Sequence, residues 1–260
     1  MKYSVFTKSV VGYKNFIKNQ YSQDYIKYQV LEDGVLCAVA DGHSGKYYTF
    51  ADRGAKIACD TFISVFSEYI DEDKKFNDIL YMINKKIIQK DICDRWKKLV
   101  NDDFIKFMPR VYKMDFFRYG TTLLGIYIND EYRFFFRIGD GEILVKKYDS
   151  FIKIFEKNRG RYVDTLSEED AFKKAQCKLE KVNKYNNQFP VILYSDGFEN
   201  SFTSYNIMIE NLSDIIWKYN SNIFIRNYIE KSYENKLIEL SKNGSRDDIT
   251  IEFLNLFGTI

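Results

Sequence analysis

The chain's only histidine lies in Val39-Ala40-Asp41-Gly42-His43-Ser44-Gly45, directly after the apolar run Val35-Leu36-Cys37-Ala38. Such a run reads as a strand buried on both faces. A carboxylate at its end needs its charge compensated, and a metal ion is one common compensation. Gly42 lets the backbone approach closely, so its carbonyl can serve as a ligand. His43, with an unperturbed pKa of about 6.5, can exchange a proton near neutral pH. An Asp-Gly pair is equally a turn signal, and taken alone this segment reads either way.

It has company. Asp140-Gly141 and Asp196-Gly197 also follow apolar strands, and Asp247-Asp248 precedes another. Hairpin geometry accounts for Asp33-Gly34 and could account for Asp140-Gly141. It accounts poorly for Asp196, because the sequence that follows is helical in pattern. If Asp41, Asp196 and Asp247 converge, each pair about 4 Å apart repels by about 4 kcal/mol at an effective dielectric near 20. An all-oxygen set favours a hard cation such as Mg²⁺ or Mn²⁺. Two such ions about 3.5–4 Å apart can share a carboxylate and hold a hydroxide, a nucleophile for phosphorus.

The elements that must position these groups follow from periodicity. Residues 25–31 and 35–41 read as strands joined by Glu32-Asp33-Gly34. A helical pattern, with room for a kink, runs from Ser44, a candidate cap, to about Ile70, and a second helix or pair of helices covers 73–100. Residues 101–119, with Pro109, are less regular. Strands resume at 121–128, 132–138 and 142–146, with a turn at Gly139-Asp140-Gly141. The polar stretch 157–188 reads as a surface flap. Val191–Tyr194 is a short buried strand, helices cover about 204–219 and 222–241, and Ile249–Leu254 is the last strand. With strands at both ends and helices in two blocks, the expected class is α+β with layered sheets.

Composition narrows the function. The 39 Lys and Arg nearly balance 37 Asp and Glu, for a net charge of +2. That balance points away from a nucleic-acid binder or a polybasic membrane anchor. The 22 Phe and 21 Tyr read as compositional bias rather than a platform for stacking bases. The four cysteines form no CxxC pair, so a thiolate zinc site is not expected. No leader is visible at Met1-Lys2-Tyr3-Ser4 and no apolar run nears the roughly 18 residues of a membrane span. A cytoplasmic protein is expected.

Ala40-Asp41-Gly42-His43-Ser44-Gly45, Gly120-Thr121-Thr122, Gly139-Asp140-Gly141, Tyr194-Ser195-Asp196-Gly197 and Gly244-Ser245-Arg246-Asp247-Asp248-Ile249-Thr250 occur in that order. The set resembles the PP2C (PPM) family of metal-dependent protein serine/threonine phosphatases, with Gln23-Asp24 similar to its opening acidic motif. The resemblance spans residues 12–254, and Gly12–Asp24 is most similar to the bacterial branch. It implies one domain over 1–260, a four-layer α-β-β-α sandwich of two mainly antiparallel sheets flanked by helices. It implies two Mn²⁺ or Mg²⁺ ions at one end. By motif Asp41 bridges both ions, the Gly42 carbonyl binds one, Asp196 and Asp247 complete the other's shell, and Asp24 joins through water. Asp140 with Asp196 matches a third, weaker metal position. His43 matches the general acid that protonates the leaving seryl or threonyl oxygen. Its alternative role is structural. Asp248 reads as a support beside the ligands, and Thr121 and Thr122 as packing or hydrogen bonding beneath them.

The chain departs from the family in places. Where many members carry a phosphate-gripping arginine five residues before the acidic motif's aspartate, Asn19 stands here. Lys18 and Lys46 are the candidates to bind phosphate instead, with Lys14 also nearby, although lysine lacks arginine's bidentate fork. Asn200 replaces an aspartate that would support the third metal, Gly141 replaces a common serine, and Asn15 stands where some bacterial relatives have histidine. The expected partners are phosphorylated proteins, substrates of a serine/threonine kinase, with no nucleic acid, no membrane and a monomeric chain. Two other readings stay open: a phosphatase-like module that binds without turnover, and a hydrolase of small phosphoesters.

Overall fold

The computed structural model describes residues 3–108, 114–156, 162–182 and 189–254. The chain runs through β1 (Val5–Val10), α1 (Tyr13–Phe16), β2 (Asp24–Val30), β3 (Gly34–Asp41), α2 (Ala51–Asp71), α3 (Phe76–Asn84) and α4 (Ile87–Phe107). It continues through β4 (Leu123–Asn129), β5 (Tyr132–Ile138), β6 (Glu142–Lys147), β7 (Ser150–Lys153), α5 (Ala171–Lys174) and β8 (Gln176–Lys181). β9 (Val191–Tyr194), α6 (Asp196–Glu199), α7 (Tyr205–Ser221), α8 (Ile223–Asn243) and β10 (Ile249–Leu254) complete it.

The strands form two five-stranded antiparallel sheets, ordered β1-β10-β9-β6-β7 and β2-β3-β4-β5-β8. β3 shows why its sequence is an unbroken apolar run. Leu36, Ala38 and Ala40 pack into the core under α2 and α4, while Val35, Cys37 and Val39 pack into the core between the sheets. Both faces are covered, so neither can be polar. α7 and α8 cover the outer face of the other sheet through Met208, Leu212, Ile216, Tyr233 and Leu237. The result is the four-layer α-β-β-α sandwich. Among the described residues no helix is long and apolar enough to cross a membrane.

Several expectations change. α2 starts at Ala51, not Ser44, because Gly45 takes φ +131° and the chain turns before the helix begins. Ser44 therefore caps nothing. α4 runs on to Phe107 because Val100 and Phe104 continue its buried stripe, whereas Pro109 lies outside the described residues. The Gly139-Asp140-Gly141 turn is no hairpin: it passes the chain from β5 in one sheet to β6 in the other. The expected flap also divides differently. Residues 157–161 and 183–188 lie outside the described residues. Between them Leu166 and Ala171 are core residues, and β8 pairs along β5 as an edge strand. Its apolar residues are too thinly spread through polar sequence to show a period.

Candidate active site

Strand ends from both sheets meet at one edge of the sandwich. Asp24 opens β2 directly opposite Asp41, which closes β3. The backbone around Asp41 is fixed by the two threonines that lead into β4. Its N–H donates to Thr122 Oγ1 at 3.1 Å, and its carbonyl accepts from Thr121 Oγ1 at 2.9 Å and the Thr122 N–H at 2.8 Å. Gly42 then bridges to Thr121. A Cβ at Gly42 would stand 2.7 Å from the carbonyl oxygens of Gln23 and Ala51, so only glycine fits this crossing of three segments.

The other sheet supplies Asp196, just after β9, and Asp247, just before β10. The Asp41 and Asp196 carboxyls are close enough for each to act on the other's protonation. Asp24 accepts from Ser195 Oγ at 2.7 Å, and Ser195 Oγ accepts from the Thr250 N–H at 3.1 Å. These bonds tie β2 to the end of β9 and to β10 in the opposite sheet. Asp247 pairs with Lys14 at 2.5 Å.

Asp248 has a different task. It accepts from the Gly12 N–H at 2.6 Å, from Asn15 Nδ2 at 3.1 and 3.0 Å, and from the Gln23 N–H at 2.7 Å. Both ends of the loop from Gly12 to Gln23 are thereby pinned beside the carboxylates. Asn15 spends its amide on this carboxylate.

Electrostatics describe a cluster with more negative charge than its surroundings accept. Burial, reinforced by Asp248, pushes Asp24 up to about 8. Burial, with the charges of Asp24 and Asp196, holds Asp41 well above the carboxylate range. Burial and Asp140 raise Asp196. His43 is pushed down by burial, against the opposing pull of Asp196 and Glu168. Its N–H donates to the Gly120 carbonyl at 3.0 Å and its ring meets Tyr48 edge-on at 5.1 Å.

A divalent cation would reverse the energetics of this cluster, and the donor set is oxygen alone, which suits Mg²⁺ or Mn²⁺. Among the described residues no three acidic, histidine or cysteine side chains are already drawn around one point. The Lys14–Asp247 ion pair offsets part of the charge.

The fold thus brings Asp24, Asp41, Gly42, His43, Asp196 and Asp247 into one neighbourhood. Asp140 is exposed on the turn between sheets, with its charge acting on Asp196. Asn200 donates to Asp196 Oδ2 at 2.9 Å. Lys18 and Lys46 stand apart from the carboxylates. They are exposed and line an adjoining cleft of about 790 Å³ with Lys14, Asn19, Tyr21 and Ser44. Sequence reasoning did not single out Ser195 and Thr250. Their only sequence signal is a hydroxyl beside each strand-end motif.

A family model described as Protein phosphatase 2C matches residues 11–227. No curated protein sequence gives a match. Solved structures do. The catalytic domain of the serine threonine protein phosphatase PstP, in complex with two manganese ions, is 16% identical with TM-score 0.60, covering 97% of each chain. PppA, described as a key regulatory component of T6SS in Pseudomonas aeruginosa, is 15% identical with TM-score 0.61, covering 99% of each. RsbX in complex with magnesium is 13% identical with TM-score 0.57, covering 97% of this chain and 94% of that one. At such identities the likeness is one of fold.

Proposed function

Because the chain belongs to the protein phosphatase 2C family, we propose that it hydrolyses phosphoserine and phosphothreonine in proteins with the help of two bound divalent cations. The observation that carries this reading is the cluster itself. Carboxylates from both sheets stand together with a backbone carbonyl, and burial and mutual repulsion raise Asp24, Asp41 and Asp196, a cost that bound cations would offset. Asp41, flanked by Asp24 and Asp196, would be shared between the ions; the Gly42 carbonyl would help hold one, Asp196 and Asp247 the other, and Asp24 would act through water. The ions, when bound, supply an activated water and offset the charge of the phosphate.

The remaining chemistry belongs to the chain. The P–O bond to the seryl or threonyl oxygen breaks, and that oxygen must gain a proton. His43 holds one at a ring nitrogen, and burial makes the imidazolium readier to give it up. The cleft lined by Lys18 and Lys46 receives the phosphorylated segment. A third cation would lie between Asp140 and Asp196. It would bind weakly, because Asn200 already occupies one Asp196 oxygen. Substrates of a serine/threonine kinase and a cytoplasmic location belong to the same reading.

The test is phosphate release from a phosphopeptide and from p-nitrophenyl phosphate with Mn²⁺ or Mg²⁺, abolished by chelation. No release with either ion from neutral to alkaline pH would overturn it. Tight phosphopeptide binding without turnover would favour the binding-module reading, which Asn19 motivates.

A further inference from the structure

Lys14 is built into the edge of the carboxylate cluster. Its N–H donates to the Arg246 carbonyl at 2.9 Å, one residue before Asp247. The flanking Gly12 N–H and Asn15 amide are held by Asp248, one residue after Asp247. The lysine backbone is therefore registered on the Asp247 loop from both sides. Its ammonium meets Asp247 Oδ1 at 2.5 Å and lies 3.5 Å from Ser44 Oγ, next to His43. It also lines the cleft that holds Lys18 and Lys46. Among the described residues it is the basic side chain in ion-pair contact with the cluster, and it stands between the cluster and the cleft.

That position gives one ammonium two competing anions. A cation bound by Asp247 satisfies the carboxylate and weakens its hold on Lys14. The ammonium, with three donors on a flexible stem, is then free to meet a phosphate entering from the cleft. We propose that Lys14 is the phosphate-gripping residue of this chain. It guards Asp247 while the site lacks a cation and turns to the phosphate of the substrate once Asp247 is taken. Cation loading and phosphate affinity are thereby linked through one side chain, beyond the direct attraction between the ions and phosphate. Lys18 and Lys46, farther along the cleft, then face the acidic side chains of a substrate segment. The inference rests on the proposed phosphatase site.

Its signature is a pair of opposite effects. Lys14→Met removes a competitor from Asp247, so calorimetry should show Mn²⁺ bound about fivefold more tightly. The same variant loses a charged donor, so the Mn²⁺-loaded protein should bind inorganic phosphate about tenfold more weakly. Lys14→Arg should restore phosphate binding. Melting temperatures of all three proteins establish that the comparison is made between folded chains. A purely structural lysine would weaken both ligands together. That outcome, or no change in either, overturns the role of Lys14 while leaving the phosphatase reading intact if phosphopeptide is still hydrolysed. A parent protein that binds no Mn²⁺ overturns the site reading and this inference with it.

Discussion

At the scale of the residue, the proposed site separates groups that hold charge from the one that would move a proton. His43 is one backbone step beyond Gly42 and two beyond Asp41, so the fold fixes it relative to the Asp41 carboxylate. If it delivers the leaving-group proton, His43→Ala should slow hydrolysis of a phosphoserine peptide by about 10²-fold or more. p-Nitrophenyl phosphate, whose leaving group needs no proton, should lose only a few-fold. Equal losses on both substrates would assign His43 to structure. Asp41 and Ser195 offer a second comparison. Ser195→Ala removes a hydrogen bond that orients Asp24 and should weaken Mn²⁺ binding by about 10–100-fold, as expected for an outer partner. Asp41→Asn should weaken it further, because its carboxylate is the central one. Calorimetry on the two variants orders them, and the reverse order would remove Asp41 from the bridging position.

At the scale of the element, the strand ends are aligned by clamps that span the sheets. Asp248, just before β10, gathers Gly12, Asn15 and Gln23, and so fixes both the loop carrying Lys14 and the entry to β2. Its loss leaves buried donors without an acceptor, at about 1–3 kcal/mol each. Asp248→Ala should therefore destabilise the fold by about 3 kcal/mol or more in urea unfolding. It should also speed hydrogen exchange at the Gly12 and Gln23 amides more than at the centre of β3. Uniform exchange changes would show that Asp248 does not act locally. The Gly139 turn is the corresponding device on the other flank. Gly139, at φ +107°, packs so closely that a Cβ would stand 2.4 Å from Thr122 Cγ2. The turn thereby brings Asp140 to the site on the way between sheets.

At the scale of the whole molecule, the core between the sheets carries one unusual acid. Ile251 and Phe253 on β10 face the α7–α8 layer, so the intervening Glu252 faces the opposite sheet. It is fully buried, no N–H or O–H meets its oxygens, and Cys37 is the polar group beside it. Burial pushes its carboxyl up to about 8, from an ordinary value of 4.5. Between those values an unfolded chain releases this proton while the folded chain keeps it. The stability contribution is complete below about 4.5 and is lost as pH rises through about 8. Glu252→Gln should consequently gain on the parent by a few kcal/mol between pH 5 and pH 8 in urea unfolding. A gain that does not grow with pH would show that Glu252 is not the group responsible.

What the sequence determined by itself is local in origin. Asp41-Gly42-His43 stands out because an apolar run stops on a carboxylate, and such runs mark strands covered on both faces. The strands Val191–Tyr194 and Ile249–Leu254 are legible for the same reason, being buried along their length, while the helices α7 and α8 are legible because their period records one covering sheet. β1 and β8 are edge strands whose half-buried and exposed positions carry Thr, Lys, Ser, Gln and Glu, so their two-residue period is diluted and they pass unnoticed. The tertiary structure decided what no period can carry. It brought Asp24 and Asp41 on one sheet against Asp196 and Asp247 on the other, across separations of more than 150 residues. It also selected Lys14 over Lys18 and Lys46 for contact with that cluster. A lysine's charge is visible in sequence, but which carboxylate it meets depends on how two sheets stack, and sheet stacking is set by the whole core.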